Sequence, residues 1–260
     1  RMKLMKSTAA GGCALGLVWG GWMSAALDAP TAAAAEIVYN YRLTDYRTGA
    51  PFRLYDLAGA VILLDFFSPT CPPCQQTTPQ VEAEIADFFP SHGGNADGLP
   101  VTVLYINEGG NADQFITTNH LDRVADDDLY RTVMAGLWNR PPPGVTPFYV
   151  VINGVTNSTT HQPWEIVGRF QWNNTVATLS AAIDTVQGTL TPRLNAEGLS
   201  PSHAFEASFW AQKGRTNVVE ATTDWMHWTT VTNLTGSNTV WFTDALAPPG
   251  ERRFYRVRLP

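Results

Sequence analysis

Cysteine is scarce in this chain, with only three among 260 residues. A small domain that is stabilised by several disulfides needs more than three cysteines, and so does a zinc centre built from two cysteine pairs. The five histidines never lie within five residues of one another. The chain therefore also lacks the close histidine pair that completes many zinc sites. We predict no metal site and no cofactor.

Charge is also sparse, at 15% of residues, and basic charge is the scarcer kind. The net charge is −6, the isoelectric point is about 5.3, and no basic stripe occurs. This balance argues against a nucleic-acid partner. The 44% hydrophobic content is that of a globular protein with a real core, and the length allows one large domain or two ordinary ones.

The first 35 residues have the pattern of a secretory signal peptide. Lys3 and Lys6 precede an apolar run over 9–27, and small residues over 29–36 offer cleavage sites. We expect cleavage near Ala35 and export to a periplasmic or extracellular location. Because the run carries no charge before residue 28, a retained membrane anchor is the alternative. Cleavage would remove Cys13.

The other two cysteines lie three positions apart in "FFSPTCPPCQQTTPQ", residues 66–80. Cys71 and Cys74 could form a redox couple, half of a metal site or a structural clip. A metal site lacks further ligands, and a clip that closes so small a ring removes little entropy from the unfolded chain. Redox chemistry is the favoured interpretation.

The surroundings of the pair predict its geometry. Residues 60–67, "AVILLDFF", form an apolar run typical of a strand buried on both faces, and 71–89 predict a helix with prolines in its first turn. Cys71 then lies at a helix N-terminus, where free N–H groups and the helix dipole lower a thiol pKa. We predict that Cys71 attacks and that the shielded Cys74 resolves the mixed disulfide.

Further features occur at fixed distances from the pair. Asp65 lies six residues before Cys71, Pro79 lies eight after it, and "VTPFYVVING" (145–154) places a proline just before a strand. With the entry segment 41–67, these features resemble the thioredoxin superfamily, and especially its exported thioredoxin-like and redoxin branch. The resemblance covers roughly residues 38–187.

The resemblance implies a thiol–disulfide oxidoreductase without a cofactor, acting on proteins that carry thiols or disulfides. A membrane redox protein is a further candidate partner. Asp65 would help to deprotonate Cys74, and Pro147 would be cis and form a substrate-docking edge with the residue before it. The substrate-binding candidates are Pro147, Thr146, Thr70 and Pro72.

Two other functions stay open. A thiol peroxidase is the weaker one, because Leu64 stands where the peroxiredoxin pattern requires proline. The other is a binding or adhesion protein that uses the same fold as a passive scaffold. The sequence also leaves open whether the pair oxidises, reduces or isomerises its substrates, because those activities share this fold and differ in potential.

The predicted fold class is α/β, a thioredoxin-like fold in which helices flank a central mixed sheet, followed by a small all-β module. Within the first domain (36–188) we expect a strand over 100–108, an edge strand over 163–172, and three further helices. These helices are predicted over 111–121, 128–138 and 174–188. A polar loop, 90–100, is inserted after the active-site helix and is expected to be mobile.

A linker is predicted over 189–201, and period-two alternation rich in threonine and aromatics then predicts the C-terminal module, 202–260. Four of the nine tryptophans lie in the module: Trp210, Trp225, Trp228 and Trp241. We expect them to form its core, so that it need not lean on the first domain. The alternative is a face that contacts a surface or a glycan.

Overall fold

The computed structural model describes residues 34–127, 132–138, 145–200, 204–245 and 252–260. The predicted signal peptide, apart from its last two residues, lies outside the described residues, as do Cys13 and residues 139–144 before the proline segment. In the described ranges, no helix is long and apolar enough to cross a membrane.

The run "VILLDFF" forms a fully buried central strand, β3. It pairs in parallel with β4 and antiparallel with β6, within a seven-stranded mixed sheet of order β2-β1-β5-β4-β3-β6-β7. The strands are β1 Arg42–Asp45, β2 Pro51–Arg53, β3 Val61–Phe67, β4 Val101–Asn107, β5 Val124–Asp126, β6 Phe148–Asn153 and β7 Ile166–Gln171. The predicted edge strand is β7, at one end of the order.

Helices cover both faces of this sheet. The helices are α1 Pro72–Val81, α2 Phe88–Ser91, α3 Asp113–Thr118, α4 Thr132–Leu137 and α5 Val176–Asp184. One apolar layer packs between the sheet and α1, α3 and α5, and a second lies on the opposite face with α4 and a 3-10 turn, Leu54–Leu57. The predicted fold class is confirmed: the first domain has a thioredoxin-like fold.

The predicted helix over 71–89 is divided into three parts. After α1, a π-helical turn, Glu82–Ala86, leads into α2. A π turn holds more residues than an α turn, so the side chains after it rotate around the helix axis. The sequence predicts an apolar helix face made of Val81, Ile85, Phe88 and Phe89. This prediction is only partly confirmed, because three of these residues are buried whereas Phe88 is 45% exposed.

The C-terminal part forms two three-stranded antiparallel sheets. One has the order β12-β9-β8 and the other β11-β10-β13. Their strands are β8 Asn195–Leu199, β9 Phe205–Trp210, β10 Thr216–Thr222, β11 Thr229–Thr235, β12 Thr239–Asp244 and β13 Phe254–Arg258. The first of these strands lies inside the predicted linker, where it pairs with β9.

The core of the module contains none of its tryptophans. Its buried members are Ala207, Phe209, Ala211, Val219 and Phe242. Trp225 and Trp241 are 63% and 62% exposed, and Trp228 lies under the guanidinium group of Arg256. Trp210 packs against the core of the first domain. The expectation that the four tryptophans form the core of the module is therefore wrong.

Residues 35–260 form one unit, and the module is bonded to the first domain through a buried amide. The Gln212 side chain donates from Nε2 to the carbonyl oxygens of Asp97 and Gly188, both at 2.8 Å. Its Oε1 accepts from the backbone N–H of Leu190 at 3.0 Å. Two of these hydrogen bonds fasten the module to the first domain, at the loop 90–100 and at Gly188, and the third joins it to the linker.

The loop 90–100 packs against the module instead of extending into solvent. The indole N–H of Trp210 donates to the carbonyl oxygen of Gly98 at 3.2 Å. Gly93 has φ +85°, and a Cβ at this position would collide with the backbone of Ser237. Close approach of the two chain segments therefore requires glycine here. The loop was expected to be mobile, and the module was expected to make no supporting contacts with the first domain. The contacts between them contradict both expectations.

Candidate active site around Cys71 and Cys74

The two cysteines form a disulfide at the start of α1, with their Cα atoms 5.3 Å apart. Cys71 is the N-cap residue of the helix, and its sulfur accepts from the backbone N–H of Cys74 at 3.2 Å. Pro72 and Pro73 occupy the first turn, where the missing N–H groups cost no helical hydrogen bond. The sequence therefore folds locally so that one sulfur caps the helix.

The two sulfurs differ in access. Cys71 is partly exposed, whereas Cys74, on the core-facing side of α1, is completely buried. An incoming thiol or disulfide can reach the sulfur of Cys71 without unfolding α1. After reduction, the N–H groups and the dipole at the helix start favour the thiolate of this residue. The geometry suits attack by Cys71 and resolution by Cys74, and those roles stay predictions.

The predicted cis-proline segment lies beside the reactive sulfur. The Thr146–Pro147 peptide bond is cis, and the carbonyl oxygen of Thr146 lies 3.3 Å from the sulfur of Cys71. The reduced thiol can donate a hydrogen bond to that oxygen. Thr70 and Pro72 are exposed on either side of Cys71. Thr146 is half-buried and Pro147 is buried. The structure thus places the four substrate-binding candidates close to Cys71, although it does not test their roles.

Asp65 lies on the sheet face that α1 covers, and its side chain is fully buried. Within the described part of the chain, neither carboxyl oxygen makes a hydrogen bond. Burial raises the pKa of this carboxyl to about 8, because the charged form is poorly solvated. The nearby Thr78 hydroxyl lowers the pKa by a smaller amount, although it does not reach hydrogen-bond geometry. Asp65 can therefore change its protonation state near neutral pH.

Two buried tyrosines flank Asp65 on the neighbouring strands. Tyr105 on β4 and Tyr149 on β6 are its direct partners in the sheet register. The hydroxyl of Tyr149 donates to Oγ1 of Thr77 at 2.9 Å, and burial raises the pKa of both phenols. Sequence reasoning missed these residues, which could have been found by aligning the tyrosines of the apolar strands with Asp65.

An open cavity of about 370 Å³ lies between α1 and the start of α5. Its wall includes Thr77, Tyr149 and Trp172. Trp172 follows β7 directly and is 59% exposed, and β7 pairs with β6 just after the cis-proline. An exposed aromatic side chain therefore lies on the strand next to Pro147. Sequence reasoning placed this tryptophan in the edge strand and assigned it no role.

The described residues hold no group of three or more histidine, cysteine, aspartate or glutamate side chains arranged to bind a metal ion. The groups near the pair are two sulfurs, a buried carboxyl and hydroxyl groups. These groups can transfer electrons in pairs through disulfide bonds and protons through oxygen atoms.

No family model matches the sequence, and no curated protein matches it. Solved structures similar to this chain include a thiol:disulfide interchange protein of the thioredoxin family from Chlorobium tepidum, at 16% identity and a TM-score of 0.46. That similarity covers 61% of this chain and 100% of the other.

A DsbF homologue from Corynebacterium diphtheriae is similar at 18% identity and a TM-score of 0.44, over 60% of this chain and 89% of the other. The thioredoxin domain of a thiol-disulfide oxidoreductase from Bacteroides vulgatus is similar at 14% identity and a TM-score of 0.43, over 59% and 99%. The strand order, the cysteine pair at a helix start and the cis-proline of this chain are those of a thioredoxin-like fold.

Proposed function

We propose that this chain is an exported thiol–disulfide oxidoreductase that exchanges disulfides with protein substrates through Cys71 and Cys74. One observation carries the proposal: the pair joins an accessible, helix-capping sulfur to a fully buried one, beside a cis-proline. A purely structural disulfide needs neither a sulfur that other molecules can reach nor a cis-proline segment beside it. The unpartnered buried carboxyl of Asp65 supports the same function.

In the reducing direction, the thiolate of Cys71 attacks a substrate disulfide. One substrate sulfur leaves as a thiolate, and the other forms a mixed disulfide with Cys71. Cys74 then loses its proton to the carboxylate of Asp65 and attacks the sulfur of Cys71. The substrate leaves as a second thiolate and the Cys71–Cys74 bond forms, so that two electrons have passed to the substrate. Oxidation of a substrate is the same sequence reversed.

Substrate polypeptide is proposed to lie along the backbone edge formed by the half-buried Thr146 and the buried Pro147, and to contact the exposed Thr70 and Pro72 beside Cys71. The carbonyl oxygen of Thr146 already faces the reactive sulfur at 3.3 Å, so a chain bound along this edge would bring its own sulfur into line. Partners are accordingly proteins that carry exposed thiols or disulfides. A membrane redox protein that renews the pair is part of the proposal.

Export is proposed from the sequence of the first 35 residues. The charged start, apolar run and small-residue end are those of a signal peptide. Expression of the whole chain in bacteria, followed by fractionation and N-terminal sequencing of the mature protein, tests this part. A mature N-terminus near residue 36 supports export with cleavage, and an uncleaved chain in the cytosolic fraction contradicts it.

The activity is tested by reduction of insulin disulfides with dithiothreitol as the electron source. We expect the wild-type protein to accelerate the reaction and Cys71→Ser to abolish it, because no accessible nucleophile remains. Cys74→Ser should still attack and accumulate mixed disulfides with substrate. If the wild-type protein is inactive in both the reducing and the oxidising direction, the fold is a passive scaffold and the proposed function is wrong.

A further inference from the structure

The buried face of the active-site helix carries polar side chains where a core helix normally carries apolar ones. Cys74, Thr78 and Glu82 follow one another at four-residue spacing, so they lie along one side of the helix. Cys74 and Thr78 are fully buried, and Glu82 is 6% exposed. The mechanism described above uses the first of these residues and leaves the carboxyl at the other end without a role.

Glu82 is bonded to a neighbour of Asp65. The hydroxyl of Tyr105 donates to Oε2 of Glu82 at 2.5 Å, and both side chains are buried. Tyr105 is also the β4 partner of Asp65, and each of the two carboxyls raises its pKa. One phenol therefore stands in the electrostatic field of an inner carboxyl beside the cysteines and an outer carboxyl further along the helix.

The groups around the two carboxyls differ. Burial and the charges of Asp87 and Asp122 raise the pKa of Glu82, and the Tyr105 hydroxyl and His120 lower it. Asp122 and His120 are exposed, so Glu82 lies near the protein surface. The Thr78 hydroxyl from the helix and Tyr105 and Tyr149 from the sheet lie beside Asp65. Cys74 is buried in the core layer on the same face of the sheet. The hydroxyls of Thr78 and Tyr105 thus lie between a carboxyl in the core and a carboxyl near solvent. Among the described residues, only the bond from Tyr105 to Glu82 is made in the disulfide form.

The helix backbone changes its geometry at this same residue. The N–H of Asp87 donates to the carbonyl oxygen of Glu82 at 2.9 Å, a bond that spans five residues, as a π turn requires. Val81 and Glu82, at the start of this wider turn, are both buried. Such turns cost stability and often mark functional positions.

We propose that Glu82 is the outer proton acceptor of a relay that runs from Cys74 through Asp65 and the hydroxyls of Thr78 and Tyr105 toward solvent. The proposal rests on the proposed function, because it concerns the step in which Cys74 attacks Cys71. In that step, the Cys74 proton passes to the carboxylate of Asp65, the new sulfur–sulfur bond forms, and the bond to the substrate breaks. Protonated Asp65 then donates to the Thr78 hydroxyl, in a hydrogen bond that the disulfide form lacks. The proton passes through the Tyr105 hydroxyl to the carboxylate of Glu82, and from there to water.

The test distinguishes attack by Cys71 from attack by Cys74 within a single turnover. Reduced protein is mixed with dithionitrobenzoate, and the coloured thiolate is followed by stopped flow. Attack by Cys71 releases the first equivalent, and attack by Cys74 on the mixed disulfide releases the second. In Glu82→Gln we expect an unchanged first phase and a second phase slowed about threefold to tenfold near pH 7. The loss should shrink toward pH 9, where hydroxide can take the proton directly.

Glutamine keeps the shape of Glu82 and an acceptor for the Tyr105 hydroxyl, so this variant removes the acid and little else. The matched control is Glu84→Gln, an exposed carboxyl two residues along the same turn, which should leave both phases unchanged. Tyr105→Phe serves as a second variant and should slow the second phase likewise, even if Glu82→Gln proves unstable.

Three outcomes are informative. Selective, pH-dependent slowing of the second phase, with an altered solvent deuterium isotope effect, supports the relay. An unchanged second phase in folded Glu82→Gln, or equal slowing of both phases at every pH, overturns it, because Glu82 then has no role or only a structural one. If the wild-type protein itself shows no second phase, the proposed function fails independently of the relay.

Discussion

The first domain and the C-terminal module both bury a carboxyl group, and they treat it in opposite ways. Asp65 has no hydrogen-bond partner among the described residues, and its pKa is raised to about 8. Glu220 on β10 is bonded to Arg256 and Arg258 on β13, which lower its pKa. A paired carboxyl fastens two strands, whereas an unpaired one costs stability and persists where a proton has to move.

The largest effect of a mutation is expected at Asp65, the carboxyl without an ion-pair partner. Asp65→Asn removes a group whose folded-state pKa lies above its unfolded value of 3.8, so the wild-type protein loses stability as pH rises from that value toward about 8. The variant should therefore gain stability relative to wild type with rising pH, by about 3 kcal/mol between pH 5 and pH 8. Urea denaturation at both pH values measures this gain.

The same variant should slow disulfide exchange around neutral pH, since asparagine cannot accept the proton of Cys74. Insulin reduction followed from about pH 6 to pH 9 measures the rate, and Asp184→Asn on α5 is the control for loss of an acid elsewhere in the first domain. Unchanged kinetics over that range would remove Asp65 from the mechanism. A loss of stability at pH 8 would contradict the absence of a partner.

The second effect concerns the attachment of the two regions. Gln212→Ala removes three hydrogen bonds and takes a partner from the buried backbone groups of Gly188 and Leu190 and from the partly buried carbonyl of Asp97. We expect a loss of about 2 kcal/mol in the free energy of unfolding, with the exchange rate on a small disulfide unchanged. The neighbouring exposed Lys213→Ala is the control. No loss of stability in the glutamine variant would mean that the module is energetically separate after all.

The third effect sharpens the comparison of the two carboxyls. Glu220 has a lowered folded-state pKa, so its stabilising effect is present above its unfolded value of 4.5 and is lost as pH falls. Glu220→Gln should therefore melt below wild type at pH 7 and approach it near pH 3. Its pH dependence has the opposite sign to that of Asp65→Asn. Glu206→Gln on β9 is the control, and a deficit that grows at acid pH would contradict the pairing.

The sequence predicted the reactive pair because its signals are local. A buried apolar strand, two prolines in a first helical turn and a cysteine at the N-cap act within about ten residues of one another, and the structure places them as expected. The cis bond before Pro147 also agrees with the resemblance. The position of Asp65 relative to Cys71 was enough to single this residue out. That its carboxyl has no hydrogen-bond partner became known only from the structure.

Other features depend on contacts between distant segments, which one sequence does not reveal. The loop 90–100 is polar and rich in glycine, as a mobile loop is, yet its glycines permit close packing against the module. The π turn at Glu82–Ala86 has no distinctive pattern, so the exposure of Phe88 was not foreseen. The period-two alternation of residues predicted the module's strands, but it did not predict which aromatic side chains face the core.

The smallest effect is expected at an exposed aromatic of the module. Trp241 on the edge strand β12 is 62% exposed, whereas the next residue, Phe242, is 5% exposed and lies in the core. Trp241→Ser should change the free energy of unfolding by less than about 0.5 kcal/mol, since little apolar surface is removed from contact. Phe242→Ala, the buried control on the same strand, should cost about 3 kcal/mol. Denaturation of the two variants side by side measures both values. A large loss in the tryptophan variant would show that this face is covered in solution, by a second copy of the chain or another protein, and protein concentration would then change the midpoint.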